Sequence, residues 1–355
     1  MNILYLITGL GLGGAEKVVV DLADQMSSKG HLVKIAYLKG PIIVHPKNES
    51  IELISLNLDT LKNLKNALYS YGNLLKSFRP DIIHSHMIHA NIFARVSRVF
   101  YSIPKLICTA HNSNEGGSIR MLAYKFTNFL SDMNTNVSNE ACDSLIAKGA
   151  FSKSDLVTVY NGIDLEKFNK LENKKNKKNE IKFISVGRFN EQKDYPNLFH
   201  AILLLKDKSK NINIKFYIVG DGELRENLEN LIQDLGIKDL VILLGKRSDI
   251  PDLLNDANFF ILSSKHEGLP TVVIEAMACQ TYVIATDCGG SAEIMGDTGI
   301  LVPPQNSLAL AEALEKALQL TAEIVAENNK KARQLVEEKF SLKASVDKWL
   351  EIYEA

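Results

Sequence analysis

Residues 267–275 read Glu-Gly-Leu-Pro-Thr-Val-Val-Ile-Glu, and Asn-Phe-Phe-Ile-Leu-Ser-Ser precedes them at 258–264. The apolar run has the length and composition of a strand buried on both faces of a parallel sheet. Pro270 and Thr271 form a helix start that 272–278 continue. Glu267 therefore lies in a loop at a strand's carboxyl end, and Glu275 about one turn inside the next helix. Both are expected at the crevice where open α/β sheets bind ligands. The backbone from Gly268 through Leu269 and Pro270 to Thr271 leads into a helix amino terminus, whose N–H groups suit an anion. Two acceptors for hydroxyls beside an anion cradle fit a sugar joined to a diphosphate. Without function, the same residues are a loop cap and a solvated helix carboxylate.

The strand–turn–helix unit recurs on both sides of this stretch. Downstream of residue 180, apolar runs at 182–186, 215–219, 241–244, 282–285 and 299–302 alternate with helical patterns. Upstream, runs at 3–8, 32–38, 51–56, 81–86, 105–110, 134–137 and 156–160 do the same. Residues 167–180 are rich in Lys and Asn and have the character of a linker. The expected architecture is α/β: two doubly wound parallel sheets facing across a cleft, with domains at 1–166 and 181–338 and a last helix at 339–355.

The 355 residues carry a net charge of −1, which excludes bulk attraction to nucleic acid. The charge is uneven: residues 1–180 hold 22 Lys and Arg against 16 Asp and Glu, and the remainder is acidic. A basic first half suits an anionic membrane or acceptor, or is plain scatter of solvated charge. Cys108, Cys142, Cys279 and Cys288 have no metal-like spacing, so a reduced, cytoplasmic setting is expected. The run at 3–7 is too short for a signal-peptide core. No run approaches the ~18 apolar residues of a spanning helix, so any membrane contact is peripheral. The segment 119–130, apolar on a broad face with Arg120 and Lys125 interspersed, reads equally well as a membrane-surface helix or a buried one. The segment 61–78 reads as a core-facing helix, with a membrane-surface helix as its alternative.

Gly9, Gly11 and Gly14 match the G-x-G-x-x-G dinucleotide pattern after a strand. The acidic residue that pattern requires at the end of the second strand is missing, and Lys39 stands there instead. The same glycines equally let a substrate approach a helix amino terminus. His84, His86 and His89 cluster near a strand end but lack a carboxylate or thiolate spaced to complete a zinc site, so no metal is expected. His111 ends another strand, and so belongs at the crevice.

Taken together these motifs resemble the retaining glycosyltransferases of family 4, which have the GT-B fold. The resemblance rests on Gly13 to Lys17 (Gly-Gly-Ala-Glu-Lys), Val159 to Asp164 (Val-Tyr-Asn-Gly-Ile-Asp), and Val186 to Lys193 (Val-Gly-Arg-Phe-Asn-Glu-Gln-Lys). Gly220-Asp-Gly222, the Glu267/Glu275 pair and Gly289-Gly290 with Glu293 complete it. By position it implies that Arg188 and Lys193 hold the donor diphosphate and that Glu267 lies near the transferred sugar. It further implies that Glu275 meets the ribose hydroxyls, that His111 lies near the donor sugar, that Gly13 and Gly14 approach phosphate or acceptor, and that Arg247 lies near the nucleobase. The last helix is expected to return to the first domain.

The implied activity is transfer of a hexose or N-acetylhexosamine from a nucleotide sugar, UDP-linked above others, to a glycan or polyprenyl-diphosphate-linked acceptor. It would form an α-linkage without metal or cofactor, at the inner face of a bacterial membrane. Leu269-Pro270 depart from the family's usual Phe-Gly after Glu-Gly, and a glycine and a proline usual near Gln280 and Tyr282 are absent. A covalent route would need a carboxylate under the anomeric carbon, and Asp132 and Glu115 are the weak candidates. Two other classes stay open: a sugar-nucleotide 2-epimerase on the same architecture, and an NAD(P)-dependent dehydrogenase reading of Gly9–Gly14.

Overall fold

A computed structural model describes residues 1–113, 116–171, 180–206, 208 and 211–355. Glu115 and residues 172–179 of the expected linker lie outside them. The chain forms two compact units, Met1–Gly162 with Leu342–Ala355, and Ile163–Ser341.

The first unit is a parallel sheet of β1 (Asn2–Ile7), β2 (Leu32–Tyr37), β3 (Glu52–Ser55), β4 (Ile82–His86), β5 (Lys105–Thr109), β6 (Met133–Asn136) and β7 (Val157–Thr158), in the order β3-β2-β1-β4-β5-β6-β7. Both faces are covered, which is why β1 is an apolar run rather than an alternating one. Ile3, Tyr5 and Ile7 pack on one face with Val19, Leu22 and Trp349. Leu4 and Leu6 pack on the other with Tyr71, Leu74 and Phe93. The helix Leu64–Phe78 buries Ala67, Tyr71, Leu74 and Leu75, so it faces the core as its spacing indicates. The last helix, Leu342–Glu354, belongs to this unit. Its Tyr353 hydroxyl lies 3.1 Å from that of Tyr5.

The second unit repeats the plan with β8 (Ile181–Val186), β9 (Ile214–Val219), β10 (Val241–Gly245), β11 (Phe259–Leu262), β12 (Tyr282–Thr286) and β13 (Ile300–Val302), ordered β10-β9-β8-β11-β12-β13. Phe183 stacks on Phe216 and Phe259 at 4.8 and 4.9 Å between ring centroids, crossing three adjacent strands on one face. Residues 163–171 are tied to this unit. Leu171 N–H donates to Asn255 Oδ1 (2.9 Å), and Arg333 Nη1 donates to the Phe168 carbonyl (2.8 Å).

Strand order reverses direction between β1 and β4 in one sheet and between β8 and β11 in the other. Loops at the carboxyl ends of those strands splay apart, and ligands of open α/β sheets enter there. Two local features lie just past strand ends. After β4, Met87 (φ 71°, ψ 151°) turns the chain sharply into the helix Ile88–Ser97. After β8 the chain forms a 3₁₀ turn, Glu191–Lys193, in which the Lys193 N–H donates to Asn190 Oδ1 (3.2 Å).

Candidate functional site

In the second unit the site begins with the loop after β8. Gly187 N–H donates to the Val219 carbonyl (2.9 Å) and Phe189 N–H to that of Asp221 (3.0 Å), so this loop lies flat on the Gly220–Gly222 turn. A Cβ at Gly220 would come within 1.8 Å of the Gly187 oxygen, and φ there is +147°, so only glycine fits. The Asn190 cap and Asp194 in the left-handed region (φ 47°) then aim Lys193 back across the switch point. Burial raises the Asp194 carboxyl above its usual range.

Lys193 Nζ lies 2.7 Å from Glu267 Oε1, with the two side chains only 16% and 9% exposed. The Ser264 hydroxyl also donates to Oε1 (2.6 Å), and Gln192 Nε2 donates to Oε2 (3.0 Å). Both carboxylate oxygens are thus engaged by donors from the loops after β8 and β11. Gly289 (φ 57°) closes the far side, where a Cβ would sit 2.7 Å from the Glu267 backbone. Gly290 N–H donates to the Gly268 carbonyl (2.7 Å). Removing one partner of so enclosed a pair leaves the other charge uncompensated, which costs about 3 kcal/mol.

Gly268, Leu269 and Pro270 are buried and lead into the helix Thr271–Ala278, for which Pro270 is the N-cap with no side-chain cap. Its positive end faces the same switch point. Glu275 lies half-buried one turn along. Next to it, burial pushes the Cys279 thiol up to about 12, and the Glu275 charge adds to that.

The other two expected cations sit apart from this pair. Arg188 is 66% exposed and reaches Glu223 (Nη2 to Oε2, 3.2 Å) rather than Glu267. Arg247, on the loop after the edge strand β10, is held by Asp249 through two N–H bonds of 2.8 and 2.5 Å. Gln192 and Ser264 went unnoticed in the sequence. Their spacing from Lys193 and Glu267 was visible, but a loop side chain's direction is not set by spacing.

In the first unit, Gly13 is the extended N-cap of the helix Gly14–Ser28. Glu16, three residues on, folds back so that a Cβ at Gly13 would meet its Oε2 at 2.4 Å. His86 Nδ1 lies 2.9 Å from His111 Nε2 across the ends of β4 and β5. His84, on the same face, bonds Tyr353 Oη through Nδ1 and Thr109 Oγ1 through Nε2, each at 2.7 Å. Burial lowers the proton affinity of all three rings, His111 to about 4, so they are neutral near pH 7. His89 is exposed, away from the other two. Among the described residues no group of three His, Cys, Asp or Glu is arranged for a metal. Asp132 lies at the opposite end of the sheet, accepting from Leu106 N–H (2.7 Å) and paired with Arg98 (2.9 Å), far from a catalytic placement within this unit. All four cysteines are buried, and none is in a disulfide.

Comparison with known proteins adds the following. Residues 12–167 match the family model described as Glycosyltransferase Family 4, and residues 166–338 that described as Glycosyl transferases group 1. The chain is 29% identical over 338 residues (90% of its length, 89% of the relative's) to the GalNAc-alpha-(1->4)-GalNAc-alpha-(1->3)-diNAcBac-PP-undecaprenol alpha-1,4-N-acetyl-D-galactosaminyltransferase of Campylobacter jejuni. It is 29% identical over 252 residues (66% of its length, 65% of the relative's) to the UDP-Gal:alpha-D-GlcNAc-diphosphoundecaprenol alpha-1,3-galactosyltransferase of Escherichia coli. The crystal structure of a glycosyltransferase from Rickettsia africae superposes with a TM-score of 0.87 at 21% identity, covering 99% of this chain and 97% of that one.

Proposed function

Since the chain belongs to the GT-B glycosyltransferases of family 4, we propose that it moves a hexose or N-acetylhexosamine from a UDP-sugar to a polyprenyl-diphosphate-linked glycan, with retention and an α-linkage. The observation that carries this is the enclosed Lys193–Glu267 pair at the β8/β11 switch point, beside an uncapped helix amino terminus. As the bond between the anomeric carbon and the phosphate oxygen breaks, negative charge grows on the departing diphosphate. Lys193, the helix terminus and Arg188, once released from Glu223, lower that barrier. Glu267 and Glu275 accept from sugar and ribose hydroxyls, and Arg247 lies toward the base. Gly13 and Gly14 admit the phosphate or acceptor closely, and His111 meets the sugar. The acceptor oxygen attacks from the face the phosphate leaves, and its proton passes to the departing phosphate oxygen, so neither metal nor cofactor is required.

The acceptor class draws support from the two named relatives, both of which act on undecaprenol-diphosphate glycans. Membrane contact draws support from the helix Ser118–Thr127 and the turn after it. Ile119 is 84% exposed and Phe129 76%, with Leu122 and Phe126 also exposed and Arg120 and Lys125 between them. Among the described residues no helix is long and apolar enough to cross a membrane.

Incubation with UDP-, GDP- and ADP-sugars and a synthetic polyprenyl-diphosphate glycan, followed by proton NMR, tests the reading. A UDP-sugar should yield an α-anomeric product. A β-product, or 2-epimerised free sugar nucleotide formed without acceptor, overturns it. Flotation with anionic vesicles at low salt tests the membrane part, and binding should fall in Phe126→Ser with Phe129→Ser.

A further inference from the structure

We propose that the first unit rests on an anionic lipid bilayer through two apolar limbs, not one. The first is the helix Ser118–Thr127 with the turn after it. The second is the closing turn of the helix Ile88–Ser97, which presents Val99 and Phe100. The bilayer as occupant rests on the membrane contact proposed above; the second limb does not follow from it.

Val99 is 67% exposed and Phe100 65%. Their backbone is ordered: Val99 N–H donates to the Val96 carbonyl (3.1 Å) and Phe100 N–H to that of Ser97 (2.9 Å). The helix buries Ala90, Phe93, Ala94 and Ser97, and the helical period puts Val99 on the side opposite to them. Two arginines tie this turn to the neighbouring limb. Arg98 Nη1 donates to the Leu130 carbonyl (3.0 Å), and Arg95 Nη1 to Thr127 Oγ1 (3.3 Å). The Arg95 guanidinium, fully buried, also lies 5.0 Å from the centre of the Tyr124 ring. The limb with Val99 and Phe100 is thus fixed beside the limb with Phe126 and Phe129, which are 68% and 76% exposed. Single exposed apolar residues are ordinary on a protein surface, but two linked limbs of them mark a contact surface.

Charge identifies the occupant. From residue 82 to 131 the sequence carries Arg95, Arg98, Lys105, Arg120 and Lys125 against one carboxylate, Glu115. Arg120 and Lys125 are exposed on the first limb. Asp132, just past its turn, is paired with Arg98 (2.9 Å). Apolar side chains set among cations, with almost no anions, match acyl chains beneath anionic headgroups. A second copy of this chain would instead bring like charge against like. One amphipathic helix leaves the unit free to roll about the helix axis. Two limbs define a plane, so the unit meets the bilayer in one orientation, and its strand-end loops stand at a fixed height above the lipid.

Flotation with vesicles of equimolar phosphatidylglycerol and phosphatidylcholine at low salt gives the test. Val99→Ser with Phe100→Ser should lower the partition coefficient about tenfold or more, through the loss of two inserted apolar side chains. Its melting temperature should stay within about 2 °C of wild type, because both side chains are exposed. Phe100→Trp should be quenched by brominated phosphatidylglycerol, whether or not the double variant folds. Wild type, whose one tryptophan, Trp349, is buried, is the unquenched control. A double variant that binds like wild type, or an unquenched Phe100→Trp, overturns the second limb and leaves the Ser118–Thr127 contact standing. A wild-type chain that does not float overturns the membrane contact itself. A wild-type dimer that Val99→Ser with Phe100→Ser makes monomeric, with flotation unchanged, assigns the surface to a second copy and overturns the proposal.

Discussion

The sheets of the two units share one strand order over their first six strands, but they place different chemistry where that order reverses. At β8/β11 a lysine and a glutamate face each other at 2.7 Å, enclosed by Ser264, Gln192 and Gly289. At β1/β4, and at β5 beside it, stand glycines and three imidazoles kept neutral by burial. A buried charge persists only with a partner, and Lys193 and Glu267 supply each other. Neutral imidazoles carry no such requirement, so the first unit can line its strand ends with donors and acceptors at little electrostatic cost. One scaffold thus offers a charged face suited to a diphosphate and an uncharged face suited to hydroxyls.

The sharpest way to break this contrast is Lys193→Ala. Turnover, followed as release of nucleoside diphosphate, should fall about 10²–10³-fold, because a fixed cation aimed at growing charge is lost. A loss under threefold would mean the charged face is structural only. Arg188→Ala comes next. Its side chain is exposed and its Glu223 partner weak, so the expected loss is about 10–30-fold, mostly in donor KM and shrinking at high salt.

The uncharged face predicts a pH effect on stability. His84, His86 and His111 bind protons less readily folded than unfolded, where the pKa is about 6.5. Their contribution is intact above that value and drains away as pH falls toward about 4, where His111 begins to titrate in the fold. Glu16 and Asp21, whose carboxyls burial raises, act in the opposite sense at the acid end. Trp349, the chain's one tryptophan, packs on His84 and reports on this unit. The melting temperature read from its fluorescence should drop by a few degrees between pH 7 and pH 5, and less in His86→Asn. A flat profile would contradict the neutral cluster. The smallest effect is expected from Glu223→Gln, which frees Arg188 for the donor and should tighten donor binding about twofold at low salt, measured by calorimetry.

Much of this was legible in the sequence, for identifiable reasons. Buried parallel strands are nearly continuous apolar runs, so β1, β8 and β11 stand out from their neighbours. Gly220 and Gly289 are demanded by local geometry, and mark the turns on which the β8 and β11 loops rest. The strand-end positions of Lys193, Glu267 and His111 followed from the same alternation. Side-chain direction in loops did not follow. Nothing in the order Gly-Arg-Phe-Asn-Glu-Gln-Lys says that Arg188 turns to Glu223 while Lys193 crosses to Glu267. Nor did the histidines announce themselves as a hydrogen-bonded cluster, since Tyr353, which bonds His84, is 269 residues away in the chain.

That distance has a consequence for how the protein is made. The second unit is a continuous stretch inserted into the first, so synthesis delivers Ile163–Ser341 whole before Leu342–Ala355 exists. Domains fold largely as they emerge. The later-numbered lobe should therefore mature first, while the opening segment waits on the ribosome with its Tyr5 and His84 face bare, a natural client for a chaperone until Trp349 and Tyr353 arrive to cover it.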